Sequence, residues 1–460
     1  MKKVTKLACI SLIDNYDEKS AIIVCDGKKI SQQQFLKQLA IVRSQLPVCS
    51  YTVNLCQDRY HFLLTFAATI ANGGCNILPP NQQPLSLQDI AEQYKSPLFV
   101  CDSEIPNLPA PSINIVDTFK AELPLNGDTM PPMIPGDQLA VIAYTSGSTG
   151  EPSANLKHWK TLSGTAKRLG DRLTPLSKKQ RQAQGCNQFH IVATVPSQHM
   201  YGLEMTTLMA LQASCVIQSA HPFYPYDVAQ ILEQTPTPRI LVTTPFHLRT
   251  IIESDTQLPK VDKIISATAP LSLDIAEQVE KQYKTRVEEI YGCTEAGSIA
   301  TRRTTEENWH WLDEVHIENT SFPYIINAPH LTKKVPLQDQ LEPLSATHFK
   351  LQGRSGDTLN VAGKRASLQD LNQKLLAING VIDGVIFKRE SKNNKRQRLA
   401  AFVVAPSLSA QDIHQVLLKR IDPAFLPRSI TLVASLPRNS TGKLSVNDLK
   451  QMHENARQPG

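Results

Sequence analysis

The stretch AYTSGSTGEPSANLKHW, Ala143 to Trp159, decides how the chain is read. It sets Thr145, Ser146, Gly147, Ser148, Thr149 and Gly150 side by side, directly after the apolar run LAVIAY. Hydroxyls and the backbone N–H groups of a glycine-rich turn form a concavity suited to an anion. A phosphate-type ligand is therefore expected here. A Walker A loop is excluded because Gly150 precedes Glu151, and the later Gly-Lys pairs continue into Arg365 and Leu444. No G-x-S-x-G elbow surrounds Ser146 or Ser148, so a serine hydrolase fits poorly. A plain linker also fits badly, since the loop follows a buried strand and is expected to lead into a helix. The first cation downstream is Lys157. It reads equally as a group that swings toward the ligand or as an ordinary residue of the first helical turn.

With 460 residues, the chain exceeds one ordinary domain, and two domains are expected. Its 41% hydrophobic and 20% charged residues belong to a soluble globular protein with ample core. No apolar run approaches the roughly 18 residues needed to span a bilayer. The N-terminal apolar stretch from Leu7 to Ile13 is interrupted by Ser11 and stops at Asp14, too short and mixed for an export signal. A cytoplasmic location is expected. Nine cysteines are dispersed without a C-x-x-C pair, which reads as free thiols and neither a disulfide framework nor a zinc site. The 12 histidines form no H-E-x-x-H, so a dedicated metal cage is not expected.

Charge is uneven along the chain. From Asp357 onward, 16 Lys and Arg stand against 8 Asp and Glu, whereas the residues before it carry 32 against 34. The excess positive charge thus lies in the last hundred or so residues, densest in FKRESKNNKRQR (387–398). It fits a solvated turn between strands or a surface for acidic or phosphate-rich partners.

Short β-branched runs alternate with helical periodicity through most of the chain. HIVATVP, RILVTTP and KIISATAP join LAVIAY as buried strands, while RYHFLLTFAATIANGG, GLEMTTLMALQA and LDIAEQVEKQY read as helices. This predicts an α/β fold with substantial parallel sheet, whose ligands bind beyond the carboxyl ends of strands. After Asp357 the texture becomes that of a compact α+β unit. The expected division is 1–356 for a large N-terminal domain and 357–460 for a small C-terminal one.

Further segments arrive in a consistent order: VPSQHMYG, SATAPLS, YGCTEAG (291–297), GRSGDTLNVAGKR and LPRNSTGKL (436–444). Together with YTSGSTGEP, they resemble the motif series of the adenylate-forming superfamily of acyl-CoA synthetases and AMP-binding ligases. The resemblance spans roughly residues 140 to 444. It implies an enzyme using ATP and Mg²⁺, with layered sheets and helices in the large domain and a mobile small domain. The implied reaction joins a carboxylic acid to AMP and then to a thiol of CoA or an acyl carrier protein. Neither nucleic acid nor a membrane span is implied. In texture the chain is similar to short bacterial AMP-ligases of aryl-polyene biosynthesis, which points to an aromatic or fatty acid.

The chemistry accounts for these residue types. A carboxylate attacking a phosphate brings two anions together, so cations and fixed dipoles must offset their repulsion. By resemblance, Thr145, Ser146, Gly147, Ser148, Thr149 and Gly150 cradle phosphates, and Ala267, Thr268 and Ala269 flank adenine in a segment usually richer in glycine. Tyr291 stacks on adenine beside Gly292. Thr294 contacts phosphate, and Glu295 holds magnesium. His199 sits by the substrate carboxylate. The usual Y-x-T-G-D segment is absent, and Asp339, in VPLQDQLE, stands for the ribose-binding aspartate by its distance upstream of the hinge. Arg354 contacts the ribose region, Asp357 is the hinge, and Lys443 is the catalytic lysine of the small domain.

Two departures stand out. The family reads P-K-G after the glycine loop, and this chain reads Pro152-Ser153-Ala154. The basic residue expected three positions after the hinge is Asn360. These departures motivate one alternative, a non-catalytic acyl- or nucleotide-binding protein on the same fold. A stand-alone adenylating enzyme that forms an amide is a further alternative.

Overall fold

The computed structural model describes residues 8–47, 49–109, 111–119, 130–146, 152–175, 188–354, 358–361, 364–389, 398–438, 444, 448–449 and 451–452. Two large sheets dominate. The first has six strands in the order Pro152–His158, Leu139–Ser146, Cys75–Leu78, Tyr51–Asn54, Leu98–Cys101 and Ser112–Asn114. Its inner members are parallel and largely buried, and the polar Asn54 and Asn76 within them donate to the Phe62 and Phe66 carbonyls. The helix Arg59–Ala71 follows Tyr51–Asn54, capped by Asp58, whose carboxylate accepts from the Tyr60 and His61 amides. The chain then turns at Gly73, where φ is +82°.

The second sheet has eleven strands. Of its parallel centre, Lys263–Ser266, Arg239–Thr243 and Phe189–Ala193 match the expected β-branched runs, and Cys215–Gln218 is a further strand paired with Phe189–Ala193. Beyond Arg286–Cys293 it turns antiparallel through Gly297–Arg303, Trp309–Trp311, His348–Arg354 and Asp339–Pro343. Trp309, Trp311 and Phe349 are buried in this limb, with the Trp311 and Phe349 rings stacked at 3.9 Å. One apolar core joins both sheets.

A separate core gathers Leu359, Leu371, Leu375, Ile386, Val403, Ile413 and Leu417. It is built from the helix Leu368–Leu376, the strands Asp383–Arg389 and Arg398–Val404, and the helix Ala410–Leu418, which Ser409 and Asp412 cap reciprocally. The mixed α/β fold therefore has a large N-terminal and a small C-terminal region, each with its own core.

Two sequence expectations change. The glycine-rich loop does not lead into a helix. Pro152–His158 is a strand paired antiparallel with Leu139–Ser146, Pro152 opposite Ser146 and Lys157 opposite Val141. The helix begins only at Trp159, so Lys157 is a strand residue and not part of a first helical turn. The segment 202–213 is also not one regular α-helix, because Leu203–Leu208 is wound as a π-helix. There the Thr206 hydroxyl donates to the Gly202 carbonyl four residues back, at 2.6 Å, a bond that competes with regular winding.

Candidate active site

The residues expected from sequence at a nucleotide site lie on several separate segments. Thr145 and Ser146 end the strand Leu139–Ser146, at the carboxyl edge of the first sheet. Gly147, Ser148, Thr149 and Gly150 lie outside the described residues, as do Asp357 and Lys443. Ala267, Thr268 and Ala269 follow the strand Lys263–Ser266 directly. Thr268 has φ +81°, a conformation that a β-branched residue rarely adopts and that glycine would take freely. Such backbone strain persists where surrounding structure enforces it, which is commonest at functional sites.

Tyr291 and Asp339 meet. The Tyr291 hydroxyl donates to Asp339 Oδ2 at 2.8 Å, with both residues buried. Their strands stand four places apart in the sheet order, which in a flat sheet would separate them by roughly 19 Å. The antiparallel limb must curl for this contact to form, and its aromatic residues fill the inside of the curl. Tyr291 packs 5.6 Å from Trp309 and 5.9 Å from Phe349, centroid to centroid. Arg354 is the register partner of Asp339, which places it beside the same contact.

The YGCTEAG segment makes a tight hairpin between Arg286–Cys293 and Gly297–Arg303. Gly292 is required there, because a Cβ would lie 2.3 Å from the Gly297 carbonyl oxygen. Gly297 has φ +81°. Thr294 and Glu295 occupy the turn, Thr294 half-buried and Glu295 exposed. An exposed carboxylate on a backbone fixed this tightly suits a hard cation such as magnesium, which takes one or two protein carboxylates and completes its shell with phosphate and water. Among the described residues, no three His, Cys, Asp or Glu side chains cluster as a metal cage.

His199 lies half-buried at the start of the short helix Met200–Gly202. The motif's glycine has a steric cause, since a Cβ on Gly202 would lie 1.9 Å from the Pro196 carbonyl oxygen. Tyr201, just after His199, donates to the Thr243 and Ile265 carbonyls at 3.2 and 3.1 Å, tying together two strand ends. Leu203 is plain core, and Phe246 is partly exposed beside the His247 ring. Burial pushes the His247 imidazole down to about 4, so it is neutral at ordinary pH.

Three supporting residues were not legible as such. Arg59 is buried, and its guanidinium donates to the Ala193 and Val195 carbonyls at 2.7 and 2.8 Å, and also to that of Ala220, bracing the segment before His199. Lys157 is buried, with Nζ 2.6 Å from the Glu295 carbonyl oxygen. Glu204 is buried as well, and its carboxylate accepts from the Ser298 hydroxyl and backbone N–H. The only signal in the sequence was a charge inside an otherwise apolar helix, at Arg59 and Glu204.

With this geometry in place, comparison with known proteins is decisive about kinship. A model of the AMP-binding enzyme family matches residues 54–318, more than half the chain. The chain belongs to the AMP-binding enzyme family. It is similar to a 4-coumarate–CoA ligase of Halorhodospira halophila, 25% identical over 65% of this chain and 73% of that protein. It is also similar to a 3,4-dihydroxybenzoate–[aryl-carrier protein] ligase of Bacillus anthracis, 21% identical over 67% and 73%. In fold, this AMP-binding enzyme matches ATP-bound MatB from Rhodopseudomonas palustris with a TM-score of 0.78 at 17% identity, covering 97% of this chain and 98% of that one. The o-succinylbenzoate CoA synthetase MenE of Bacillus subtilis, in complex with ATP and magnesium, matches with a TM-score of 0.77 at 15% identity over 94% and 97%. Among the described residues, no helix is long and apolar enough to cross a membrane.

Proposed function

We propose that this enzyme is an AMP-forming acid–thiol ligase. In the first step a carboxylate oxygen of the acid attacks the α-phosphorus of ATP, the bond to the β-phosphate oxygen breaks, and pyrophosphate leaves. In the second, the sulfur of a phosphopantetheine thiol attacks the acyl carbon of acyl-AMP, AMP leaves, and the thiol proton passes to solvent. The observation that carries this reading is the Tyr291–Asp339 contact beside Arg354, on the strand that runs into the Glu295 turn. Tyr291 supplies a ring face for adenine and Asp339 an acceptor for ribose hydroxyls. Glu295 offers a carboxylate to the magnesium that accompanies ATP, and His199 orients the acid. Magnesium, when bound, neutralises phosphate charge as pyrophosphate departs.

The domain division at 357 belongs to this reading, with Asp357 as hinge and Lys443 entering for the first step only. The last strand of the large sheet ends at Arg354, and the separate small core begins at Leu359. The CoA and aryl-carrier-protein ligases among the relatives support a thiol acceptor, and an aromatic acid is the substrate class we favour. Pyrophosphate release across a panel of aromatic and fatty acids, with CoA or a carrier protein, tests the assignment. Release with no acid in the panel would favour a binding protein, and product with an amine in place of a thiol would make it an amide-forming enzyme.

The acceptor has its own test. Acyl carrier proteins are acidic, and the small region carries 16 basic against 8 acidic residues. Charge reversal at Arg396 and Arg398 is expected to slow transfer to a carrier protein several-fold, and added salt should do the same. Arg396 lies outside the described residues, and Arg398 opens a strand. Transfer that is indifferent to salt would assign the acceptor to CoA or place the steering elsewhere.

The missing loop lysine also makes a prediction. Ser153 is exposed on the strand that leaves the glycine loop, while the Lys157 ammonium is buried against the Glu295 carbonyl. Lys157 therefore does not stand in at the phosphates. Ser153→Lys is expected to tighten ATP binding by about 1 kcal/mol, below the usual 1.5–3 for a charge-assisted bond because a long side chain must be ordered. Calorimetric titration with ATP reads the change directly, and unchanged affinity would mean that the cradle is not short of charge.

A further inference from the structure

The hairpin that presents Glu295 is held from beneath by two buried charges on separate elements. Lys157, on the strand Pro152–His158, reaches through the core to donate to the Glu295 carbonyl at 2.6 Å. Glu204, on the π-helix Leu203–Leu208, accepts from the Ser298 amide at 3.4 Å and from the Ser298 hydroxyl. Its Oε1 also lies 2.6 Å from where a Cβ on Gly297 would stand, so a side chain there would push the carboxylate aside as well as strain the φ of +81°. All three elements meet in the dry interior, where a charge is costly unless it is paired and hydrogen-bonded. Burial pushes the Lys157 ammonium down and the Glu204 carboxyl up, while each lends the other opposing charge.

The turn is flanked by Gly292 and Gly297, with a register irregularity after Tyr291, and its own close backbone approach is supplemented by these two contacts from outside the hairpin. Lys157 also connects two parts of the site, because its strand pairs with Leu139–Ser146, the strand that enters the glycine-rich loop.

We infer that Lys157 and Glu204 form a buried clamp, one holding the Glu295 carbonyl and the other Ser298 just beyond the turn, that fixes where the Glu295 carboxylate is presented to the metal of MgATP. Both are positioning residues that act through Glu295. The inference rests on the functional reading above. Two buried opposite charges could serve only to compensate each other at a distance, and the two roles come apart experimentally.

The test compares the parent with Lys157→Met, Glu204→Gln and the double variant Lys157→Met/Glu204→Gln in the full chain. The readouts are the thermal midpoint and ATP affinity by calorimetry with and without Mg²⁺. Lys157→Met leaves Glu204 without its cation, so its midpoint should fall. The double variant removes both charges and should recover most of that loss. The gain in ATP affinity that Mg²⁺ confers should shrink about tenfold in Lys157→Met and stay reduced in the double variant. Affinity without Mg²⁺ should match the parent. Should Lys157→Met fail to fold, the double variant alone carries the comparison. Recovery of the Mg²⁺ gain together with the midpoint would overturn the clamp and leave charge compensation only. A parent that binds no ATP would overturn the functional reading, and the clamp with it.

Discussion

Lys443→Ala is expected to slow acyl-AMP formation by at least about 10²-fold, the scale seen when one transition-state electrostatic group is removed. Transfer from supplied acyl-AMP to the thiol should stay close to the parent rate. The residue lies in STGK, where Gly442 and the polar residues before it suit a loop that can enter a site and leave it. It falls outside the described residues, so its role here rests on the motif it resembles. In that role a lysine ammonium stabilises charge shared between the attacking carboxylate and the α-phosphate. An effect confined to the transition state lowers kcat and kcat/KM together. On the mechanism proposed, rotation of the small region would carry the same lysine away from the second step. Measuring the half-reactions separately is therefore diagnostic. Equal loss in both would mean a misfolded small region or a single-conformation mechanism, and no loss in either would mean a solvated lysine.

The parts of the molecule that the sequence made legible are those in which burial and apolarity coincide. HIVATVP, RILVTTP and KIISATAP contain the strands Phe189–Ala193, Arg239–Thr243 and Lys263–Ser266, because strands covered on both faces must be apolar throughout. The strand Pro152–His158 defeats the same reasoning. It lies at a sheet edge, exposes Leu156 by 58% and buries Lys157, which inverts the pattern a half-buried strand should show. Glu204 is hidden in the same manner, a carboxylate placed in an apolar run because its partners arrive from Ser298, 94 residues away. The site shows the same division. Gly202 and Gly292 are local necessities of close backbone approach and Gly297 of a positive φ, so the motifs holding them could be quoted directly from the sequence. Asp339 could be named only by its distance from the hinge, since its contact with Tyr291 depends on a curl accumulated over five strands. Arg59, Lys157 and Glu204 belong to no motif. Each is a charge whose purpose appears only once remote carbonyls and amides are brought to it.

Glu295→Gln is expected to lose acyl-AMP formation by about 10²- to 10³-fold, comparable with removing a preorganised electrostatic group from a site where charge develops. The substitution keeps the side chain's size and one oxygen, and it removes the negative charge that a magnesium ion selects. Pyrophosphate leaves as a multiply charged anion, so a weaker hold on its counter-ion acts where phosphate charge is redistributed. The protein itself should be little disturbed. Glu295 is exposed, and the bond that ties its residue to the core runs from Lys157 to the backbone carbonyl, which the substitution leaves in place. Exposed substitutions of this kind usually alter stability by no more than about 0.5 kcal/mol. The expected signature is thus a near-parental thermal midpoint, a large fall in pyrophosphate release and a raised Mg²⁺ requirement. Thioester formation from supplied acyl-AMP should be spared, because pyrophosphate has already departed. This sets Glu295→Gln apart from Lys157→Met, which leaves the carboxylate and loosens its support, so its loss should be the smaller of the two. Pyrophosphate release at the parent rate would remove Glu295 from the metal site and with it the assignment of the YGCTE turn.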